Sequence, residues 1–160
     1  MCVQVMSIQE YPVQAAICSP LDGSAVNIED GEVTVRGYAM SGGGRGIQRV
    51  DVTIDGGRTW YAASLNAEPQ PYGRQWAWTI WEAVVPLPTT SKIGQRVEIA
   101  AKATDTSHNT QPETDVGIWN IRGLLENRWH RVNVEITSDW ERLIRQVRVL
   151  DIGVTDVKLT

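Results

Sequence analysis

Apolar and polar residues alternate with a period of two in several short stretches of the chain, the pattern of strands buried on one face. The alternation is clearest at Val50, Val52 and Ile54, which are separated by Asp51 and Thr53. In an extended strand the three apolar side chains fall on one face and the two polar ones on the other. The sequence therefore predicts a half-buried strand here.

A turn signal follows this strand directly. Asp55-Gly56-Gly57 consists of residues that tolerate positive φ, and residues 59–62 are again rich in strand formers. Upstream, residues 33–38 alternate in the same way and end in a glycine-rich stretch. The pattern predicts three antiparallel strands in succession, the last two joined as a hairpin.

The glycine-rich stretch is Gly42, Gly43 and Gly44. A phosphate-binding loop would need a helix after it and usually a Lys-Ser or Lys-Thr pair. Here the glycines lead into residues 47–54, which alternate as a strand. We interpret them as a flexible turn, whose lack of side chains would also permit the close approach of another domain or subunit.

Further strand patterns bring the predicted total to about seven. They cover residues 13–18, 75–86, 97–104 and 129–136. Glycine- and proline-rich turns separate the strands, and no helix is indicated before residue 137. The sequence predicts an all-β antiparallel sandwich of the immunoglobulin-like kind, although an inter-sheet cysteine pair is absent. Three tryptophans of one predicted strand, Trp76, Trp78 and Trp81, are expected in a core or an interface.

Both ends of the chain differ from this pattern. Residues 1–12 end in Tyr-Pro and are interpreted as the remnant of a linker from a preceding segment. Residues 13–136 form the predicted domain. In the C-terminal extension, residues 137–160, Ser138 and Asp139 are candidate caps of a short helix with Trp140, Leu143 and Ile144 on one face.

Composition narrows the classes of function. The chain has 160 residues, 42% of them hydrophobic, which suits one domain with its own core. The formal charge of −4 argues against a nucleic-acid partner. No apolar run approaches membrane-spanning length and the N-terminus lacks a secretion signal, so we expect no membrane association.

Catalytic and metal-binding patterns are missing. Cys2 and Cys18 lack the spacing of a zinc site or a disulfide framework, and Cys18 is expected to be a buried or semi-buried thiol. His108 and His130 accompany no recognisable nucleophile. We assign no catalytic residue and no metal ligand, and the residues favour a binding or assembly module over an enzyme.

The segment 117–132 is the most distinctive part of the chain. It is rich in aromatic and basic residues, namely Trp119, Arg122, Arg128, Trp129, His130 and Arg131. Arg122 precedes Gly123 and is flanked by apolar residues, so its guanidinium could be held in a fixed pose toward an oxyanion. The alternative is that Arg122 pairs with a carboxylate across the sandwich.

Five strings of the sequence together resemble the C-terminal dimerisation domain of the sulfite oxidase family of molybdenum enzymes. They are PVQAAICSP, RGYAMSGGGRGIQRVDVTIDGGRTW, QWAWTIWEA, AAKATDTSHNTQPE and IWNIRGLLENRWHRVNV. The similarity covers about residues 12–136. It implies an immunoglobulin-like sandwich that forms a homodimer.

The resemblance also implies a chemistry, the oxidation of sulfite to sulfate at a molybdopterin-bound molybdenum. In the family that metal is held by a cysteine of a separate, preceding domain, and neither Cys2 nor Cys18 matches it. The resemblance thus implies that this chain binds no cofactor and is inactive alone, whereas the parent enzyme carries molybdopterin-molybdenum and in some cases haem. The arginine matching Arg122 binds the substrate anion in that family.

For the remaining candidates the resemblance implies roles in structure or at an interface. They are Gly42, Gly43, Gly44, Trp119, Trp129, His130 and Arg131. It also implies a compartment, the mitochondrial intermembrane space for an animal-type enzyme or the peroxisome for a plant-type one.

Two alternatives stay open. Nitrate reductases carry a similar domain, but they usually have methionine at the position of Arg122 and phenylalanine after the tryptophan matching Trp129. Arg122 and His130 fit the sulfite oxidase pattern better. The second alternative is a stand-alone immunoglobulin-like binding module without catalysis.

Overall fold

The computed structural model describes residues 7–138, and this part of the chain is built from strands. The strands are β1 Gln14–Ser19, β2 Ala25–Asn27, β3 Glu32–Met40, β4 Ile47–Thr53, β5 Tyr61–Ala62, β6 Ser64–Asn66, β7 Thr79–Pro86, β8 Arg96–Asp105 and β9 His130–Thr137, with a single 3-10 turn at Ile28–Asp30. The all-β prediction is confirmed. The helix predicted in the C-terminal extension lies outside the described residues.

The strands form two sheets, as a β-sandwich requires. The four-stranded sheet has the order β1-β3-β7-β6, and the five-stranded sheet has the order β2-β9-β8-β4-β5. All pairings are antiparallel except that of β2 with β9, which is parallel. The prediction of an antiparallel sandwich is therefore wrong for this one pair. The chain leaves β1 in one sheet and crosses to the edge of the other, where β2 runs alongside the last strand.

The core lies between the sheets and consists of the inward-facing residues of each strand. Its fully buried members include Val35, Val50, Val52, Val85, Ile99, Val134 and Ile136. Trp81 of β7 is the largest side chain in this core, with 1% of its surface exposed. Burying each valine or isoleucine side chain contributes about 1.5–3 kcal/mol to the stability of the fold, before the entropy cost is subtracted. The period-two alternation in β3, β7, β8 and β9 thus identified most of the core.

Strand β4 is more deeply buried than its alternation suggests. Val50 and Val52 face the core as predicted, but Asp51 and Thr53 on the other face are also buried, at 5% and 1% exposed. Arg49 Nε donates to Asp51 Oδ2 at 2.8 Å and covers that carboxylate. Pairing with β5 on one side and β8 on the other encloses the strand. The prediction of a half-buried strand was wrong on this outer face.

The hairpin between β4 and β5 is confirmed. Gly56 and Gly57 have φ values of 73° and 89°, which other residues adopt only with strain. Asp55 Oδ1 accepts the backbone N–H groups of Thr59 and Arg58, both at 2.9 Å. Hydrogen bonds to the ionised carboxylate, that from Thr59 above all, lower the pKa of Asp55 to about 2.

Three consecutive antiparallel strands were predicted, and this is wrong for the first pair. β3 pairs with β1 and β7 in the four-stranded sheet, whereas β4 pairs with β5 and β8 in the other. The glycine turn between them therefore carries the chain across the sandwich instead of closing a hairpin. Sequence order alone cannot distinguish a turn within a sheet from one between sheets.

Strand β7 is shorter than predicted, because it begins at Thr79 and not at residue 75. The backbone N–H of Gln75 donates to the carbonyl of Gly44, and that of Trp76 to the side chain of Gln70. These groups are consequently not available to a sheet. Trp76 and Trp78 are 66% and 56% exposed, so they are not core residues.

Cys18 also differs from its prediction. It is an exposed free thiol at the end of β1, on the outer face of the four-stranded sheet. Its neighbour Ile17 faces the core instead. The small apolar character of a thiol suggested burial, but the alternation of the strand determines the side it occupies.

Candidate functional site: an arginine-bearing loop

The connection between β8 and β9, residues 106–129, contains the predicted anion-binding arginine, and its base is fixed by Gln111. This side chain is 3% exposed. Its Oε1 accepts the backbone N–H of Ala103 at 2.9 Å, and its Nε2 donates to the carbonyls of Asn127 and Arg128 at 3.0 Å each. Each bond joins the loop to a strand or joins its two ends. The base of the connection is therefore part of the folded sandwich.

Two side chains where this connection meets β9 bond to the backbone of the edge strand β1 and of the residue before it. Asn127 Nδ2 donates to the carbonyl of Val13 at 2.9 Å, and His130 Nδ1 accepts the backbone N–H of Ile17 at 3.2 Å. Unpaired backbone groups on an edge strand invite pairing with another chain, and the bond to His130 satisfies one of them. Burial lowers the pKa of His130, although the charge of Asp22 opposes the change. The ring is thus held neutral, the state in which Nδ1 can accept a hydrogen bond.

The tip of the connection is a tight loop organised by Asn120. Its Oδ1 accepts the backbone N–H groups of Arg122 at 3.2 Å and Leu124 at 3.0 Å, and its Nδ2 donates to the carbonyl of Leu124 at 2.7 Å. Gly123 adopts φ 63° and donates to the carbonyl of Asn120 at 3.0 Å. The left-handed conformation explains why glycine follows the arginine. Hydrogen bonds from Asn120 therefore hold the backbone at Arg122 and on its C-terminal side.

Arg122 itself is exposed, and its neighbour Ile121 is 91% exposed. The other two arginines of the segment form ion pairs, Arg128 with Asp115 and Glu126, and Arg131 with Glu98 and Glu113. Arg122 forms no ion pair with any carboxylate of residues 7–138. The alternative of pairing across the sandwich is thus not found within the part of the chain that the structure describes. An exposed guanidinium offers two parallel donors to an oxyanion.

The aromatic and basic neighbours of this loop separate into two environments. Trp119 is 70% exposed and lies on the loop. Trp129 is half-buried, with its ring centroid 5.0 Å from that of Trp60 in an edge-to-face arrangement. Lys102 Nζ lies 3.8 Å from the centroid of Trp60, and Arg131 Cζ lies 5.4 Å from that of Trp129. Trp129 and Arg131 thus belong to a packed cluster on the five-stranded sheet, apart from the loop tip.

The glycine turn after β3 approaches two other segments of the same chain. A Cβ on Gly42 would lie 2.4 Å from the backbone nitrogen of Tyr11, and one on Gly44 would lie 2.1 Å from the carbonyl oxygen of Gly73. Gly43 adopts φ 67°. Within the described residues, the chain's own N-terminal segment and the loop after β6 approach these glycines. The predicted approach of another domain or subunit stays a prediction.

Sequence reasoning missed a buried carboxylate beside this turn. Asp105 begins a polar string, residues 105–112, yet its side chain is fully buried. Its Oδ2 accepts from Ser41 Oγ at 2.8 Å and Arg45 Nε at 3.1 Å. Arg45 Nη1 also donates to Glu10 Oε2 at 2.8 Å. Burial raises the pKa of Asp105, but hydrogen bonds from Asn109, Ser41 and Ser107 outweigh it and the pKa is lowered.

This network fixes the N-terminal segment next to the arginine-bearing loop. Glu10, Tyr11, Pro12 and Val13 line one side of a cavity of about 610 Å³, and the loop lines the other side through Ile118, Asn120, Leu124 and Leu125. The chain therefore enters the sandwich at the end that carries Arg122. No sequence pattern indicated this proximity, because the two segments are more than a hundred residues apart.

Within residues 7–138 no group of three or more His, Cys, Asp or Glu side chains is arranged to hold a metal ion. The same part of the chain contains no helix that is long and apolar enough to span a membrane.

Fold and site together define a two-sheet β-sandwich module with an exposed arginine on a hydrogen-bonded loop, at the end where the N-terminal segment joins the sandwich. The family model of the Mo-co oxidoreductase dimerisation domain matches residues 5–137. The chain belongs to this family.

Known relatives agree with this assignment. The chain is 50% identical to human "Sulfite oxidase, mitochondrial" over 131 residues, which cover 82% of this chain and 23% of the relative. It is 44% identical to sulfite oxidase of Arabidopsis thaliana over 133 residues, covering 77% of this chain and 31% of the relative. The chain thus spans about a quarter to a third of the length of these enzymes.

Nitrate reductase is a more distant match. The chain is 40% identical to "Nitrate reductase [NADH] 1" of rice over 136 residues, which cover 81% of this chain and 14% of the relative. The identities to the sulfite oxidases are higher over a similar share of the chain. The preference for the sulfite oxidase type over the nitrate reductase type is confirmed.

Proposed function

We propose that the chain is the assembly domain of a larger molybdenum enzyme that oxidises sulfite to sulfate, and that Arg122 binds the substrate anion. The observation that carries the proposal is the state of Arg122, which is exposed, forms no ion pair with the described carboxylates and is held by the Asn120 loop. Sulfite and sulfate are small oxyanions, and the fork of a guanidinium matches two of their oxygens. In this enzyme the domain also joins two subunits as a homodimer.

The course of the N-terminal segment supports the assignment of Arg122. A preceding domain would be connected through residues 7–13, and Glu10 to Val13 line the same cavity as the arginine-bearing loop. Such a domain would therefore lie at the end of the sandwich where Arg122 projects. The exposed Ile121 and Leu124, at 91% and 48% exposed, would be covered by that contact.

The molybdenum cofactor implied by the family belongs, in our proposal, to the preceding domain. The described residues do not fit it, because they include no metal-ligating cluster. When bound, that cofactor supplies a two-electron oxygen-atom transfer. The part of this chain is to bind and orient the anion through Arg122.

The proposal also includes the domain bounds, the structural or interface residues and the compartment that the sequence predicted. Residues 1–12 are the linker, residues 13–136 the dimerisation domain with an immunoglobulin-like topology, and residues 137–160 an extension. Gly42, Gly43 and Gly44, with Trp119, Trp129, His130 and Arg131, have structural or interface roles. The human relative is named as mitochondrial. An animal-type parent enzyme would lie in the intermembrane space and a plant-type one in the peroxisome.

Kinetics of the full-length enzyme that carries this domain test the role of Arg122. We expect Arg122→Met to lower kcat/KM for sulfite by about ten- to a hundredfold, equivalent to roughly 1.5–3 kcal/mol for the lost charged hydrogen bonds. Arg128→Met is the matched control, because it removes the same charge from the same segment while Arg128 is already engaged by Asp115 and Glu126. Equal kcat/KM values for Arg122→Met and the unmodified enzyme would show that Arg122 is structural.

A further inference from the structure

The tip of the arginine-bearing loop is bonded by one side chain and lies outside the core. Asn120, Ile121 and Leu124 are all exposed. Asn120 nevertheless uses both ends of its amide, since Oδ1 accepts two backbone N–H groups and Nδ2 donates to the carbonyl of Leu124 at 2.7 Å. Hydrogen bonds in an exposed loop tip contribute little to the stability of the whole fold. These bonds therefore act mainly on the local conformation of the loop.

The backbone on the C-terminal side of Arg122 adopts the left-handed conformation twice. Gly123 has φ 63° and Leu125 has φ 60°. A Cβ on Gly123 would meet no atom within 4 Å, so the conformation and not crowding favours glycine there. A positive φ is unfavourable for leucine, and it persists where the surroundings hold it. The bond from Asn120 to the carbonyl of Leu124 holds the peptide group that precedes Leu125.

Arg122 lies within the stretch of backbone that Asn120 holds. The N–H of Arg122 donates to Asn120 Oδ1 at 3.2 Å, and the N–H of Leu124 donates to the same atom at 3.0 Å. Within residues 7–138 no ion pair holds the guanidinium itself. The region that the guanidinium reaches thus depends on the backbone from which the side chain starts. A backbone with more conformations would present it to an anion less often, at a cost in affinity.

We infer that Asn120 is a positioning residue for the oxyanion-binding arginine. The inference rests on the proposed function, in which Arg122 binds the substrate anion, and it adds a second residue on which that binding depends. Asn120 acts through Arg122 and does not itself bind the anion. The residue type suits this role, because a short amide side chain offers an acceptor and a donor to the backbone of the same turn.

Kinetics of the full-length enzyme that carries this domain test the inference. We expect Asn120→Ala to raise KM for sulfite by about three- to tenfold and to leave kcat within about twofold, because the bound anion still meets the same guanidinium. Asn120→Ser should lose less, since its hydroxyl can still accept the N–H of Arg122. Equilibrium dialysis with sulfate should give the same order of affinities without turnover.

Asn133→Ala is the matched control for these variants. It removes an exposed amide of β9 that donates to Asp22 Oδ1 at 3.5 Å and not to the loop, so KM and kcat should stay unchanged. Circular dichroism of each variant shows whether the fold is retained.

A double-mutant cycle separates positioning from a general structural effect. In the Arg122→Met background, Asn120→Ala should have no further effect on kcat/KM, because no guanidinium is left to position. Additive losses from the two substitutions would overturn the inference and leave the proposed function intact. So would an unchanged KM in Asn120→Ala where Arg122→Met is impaired. An Arg122→Met enzyme with unchanged kcat/KM would instead contradict the proposed function, and the inference with it.

Discussion

The carboxylate of Asp105 lies 3.1 Å from the guanidinium nitrogen Nε of Arg45, although the two residues are 60 positions apart in the chain. Asp105 is fully buried and Arg45 is partly exposed. Arg45 also forms an ion pair with Glu10 of the N-terminal segment. The relationship thus connects the turn after β8 with the glycine turn after β3 and with the point where the chain enters the sandwich.

We expect Asp105→Ala to lower the free energy of unfolding by about 3 kcal/mol, because it leaves Arg45 and the donors of the 105–109 turn without their acceptor. Urea unfolding at neutral pH measures this change. Glu10→Ala is the matched control. It removes the other carboxylate of Arg45, which is exposed, and should cost less than about 1 kcal/mol. Equal losses in the two variants would contradict the importance of the buried acceptor.

His130 gives a pH-dependent prediction. Because burial lowers the pKa of His130 in the folded state, protonation occurs more readily in the unfolded chain. The contribution of neutral His130 is complete above the unfolded value of about 6.5 and is lost as the pH falls below it toward the folded value. The protonated ring also could not accept the N–H of Ile17.

Thermal unfolding between pH 8 and pH 5 measures this effect. The unmodified chain should lose stability as the pH decreases through this window, and His130→Gln should show a smaller decrease. His108→Asn is the control, since His108 is exposed with φ 62° and asparagine tolerates that conformation. A pH dependence unaltered in His130→Gln would mean that another group causes it.

The sequence predicted the core strands well and their arrangement poorly. Alternation identified Val33 and Val35, and likewise Val97 and Ile99, because burial on one face leaves a direct periodic signal. Which sheet each strand joins depends on long-range pairing. No local pattern shows that β3, which ends at Met40, and β4 belong to different sheets.

For the candidate site too, the sequence indicated local features but not contacts between distant parts of the chain. The Arg-Gly pair predicted an arginine in a fixed pose, and this stays a prediction. The structure adds that Gly123 has φ 63°, a conformation that favours glycine. The burial of Asp105 and the proximity of the N-terminal segment result from contacts between distant parts of the chain. A polar string such as residues 105–112 has the composition of a solvated turn, and burial there could not be inferred from it.

Gly37 supplies the last prediction, and its importance comes from the packing of one tryptophan. A Cβ at this position would lie 2.0 Å from the carbonyl oxygen of Ala16 and 2.5 Å from Cζ2 of Trp81. Neither neighbour can move freely, because the first is backbone of the paired strand β1 and the second is a ring that is 1% exposed. We therefore expect Gly37→Ala to lower the free energy of unfolding by about 2–4 kcal/mol.

Gly117→Ala is the control for this substitution, since its added Cβ would meet no atom within 4 Å. It makes the same chemical change in an open loop and should alter stability by less than about 0.5 kcal/mol. Chemical denaturation of both variants measures the difference. Equal stabilities of Gly37→Ala and Gly117→Ala would contradict the tight contact between β3 and the indole of Trp81. An overlap of that size cannot be relieved without moving the backbone or a buried ring, and both movements are destabilising.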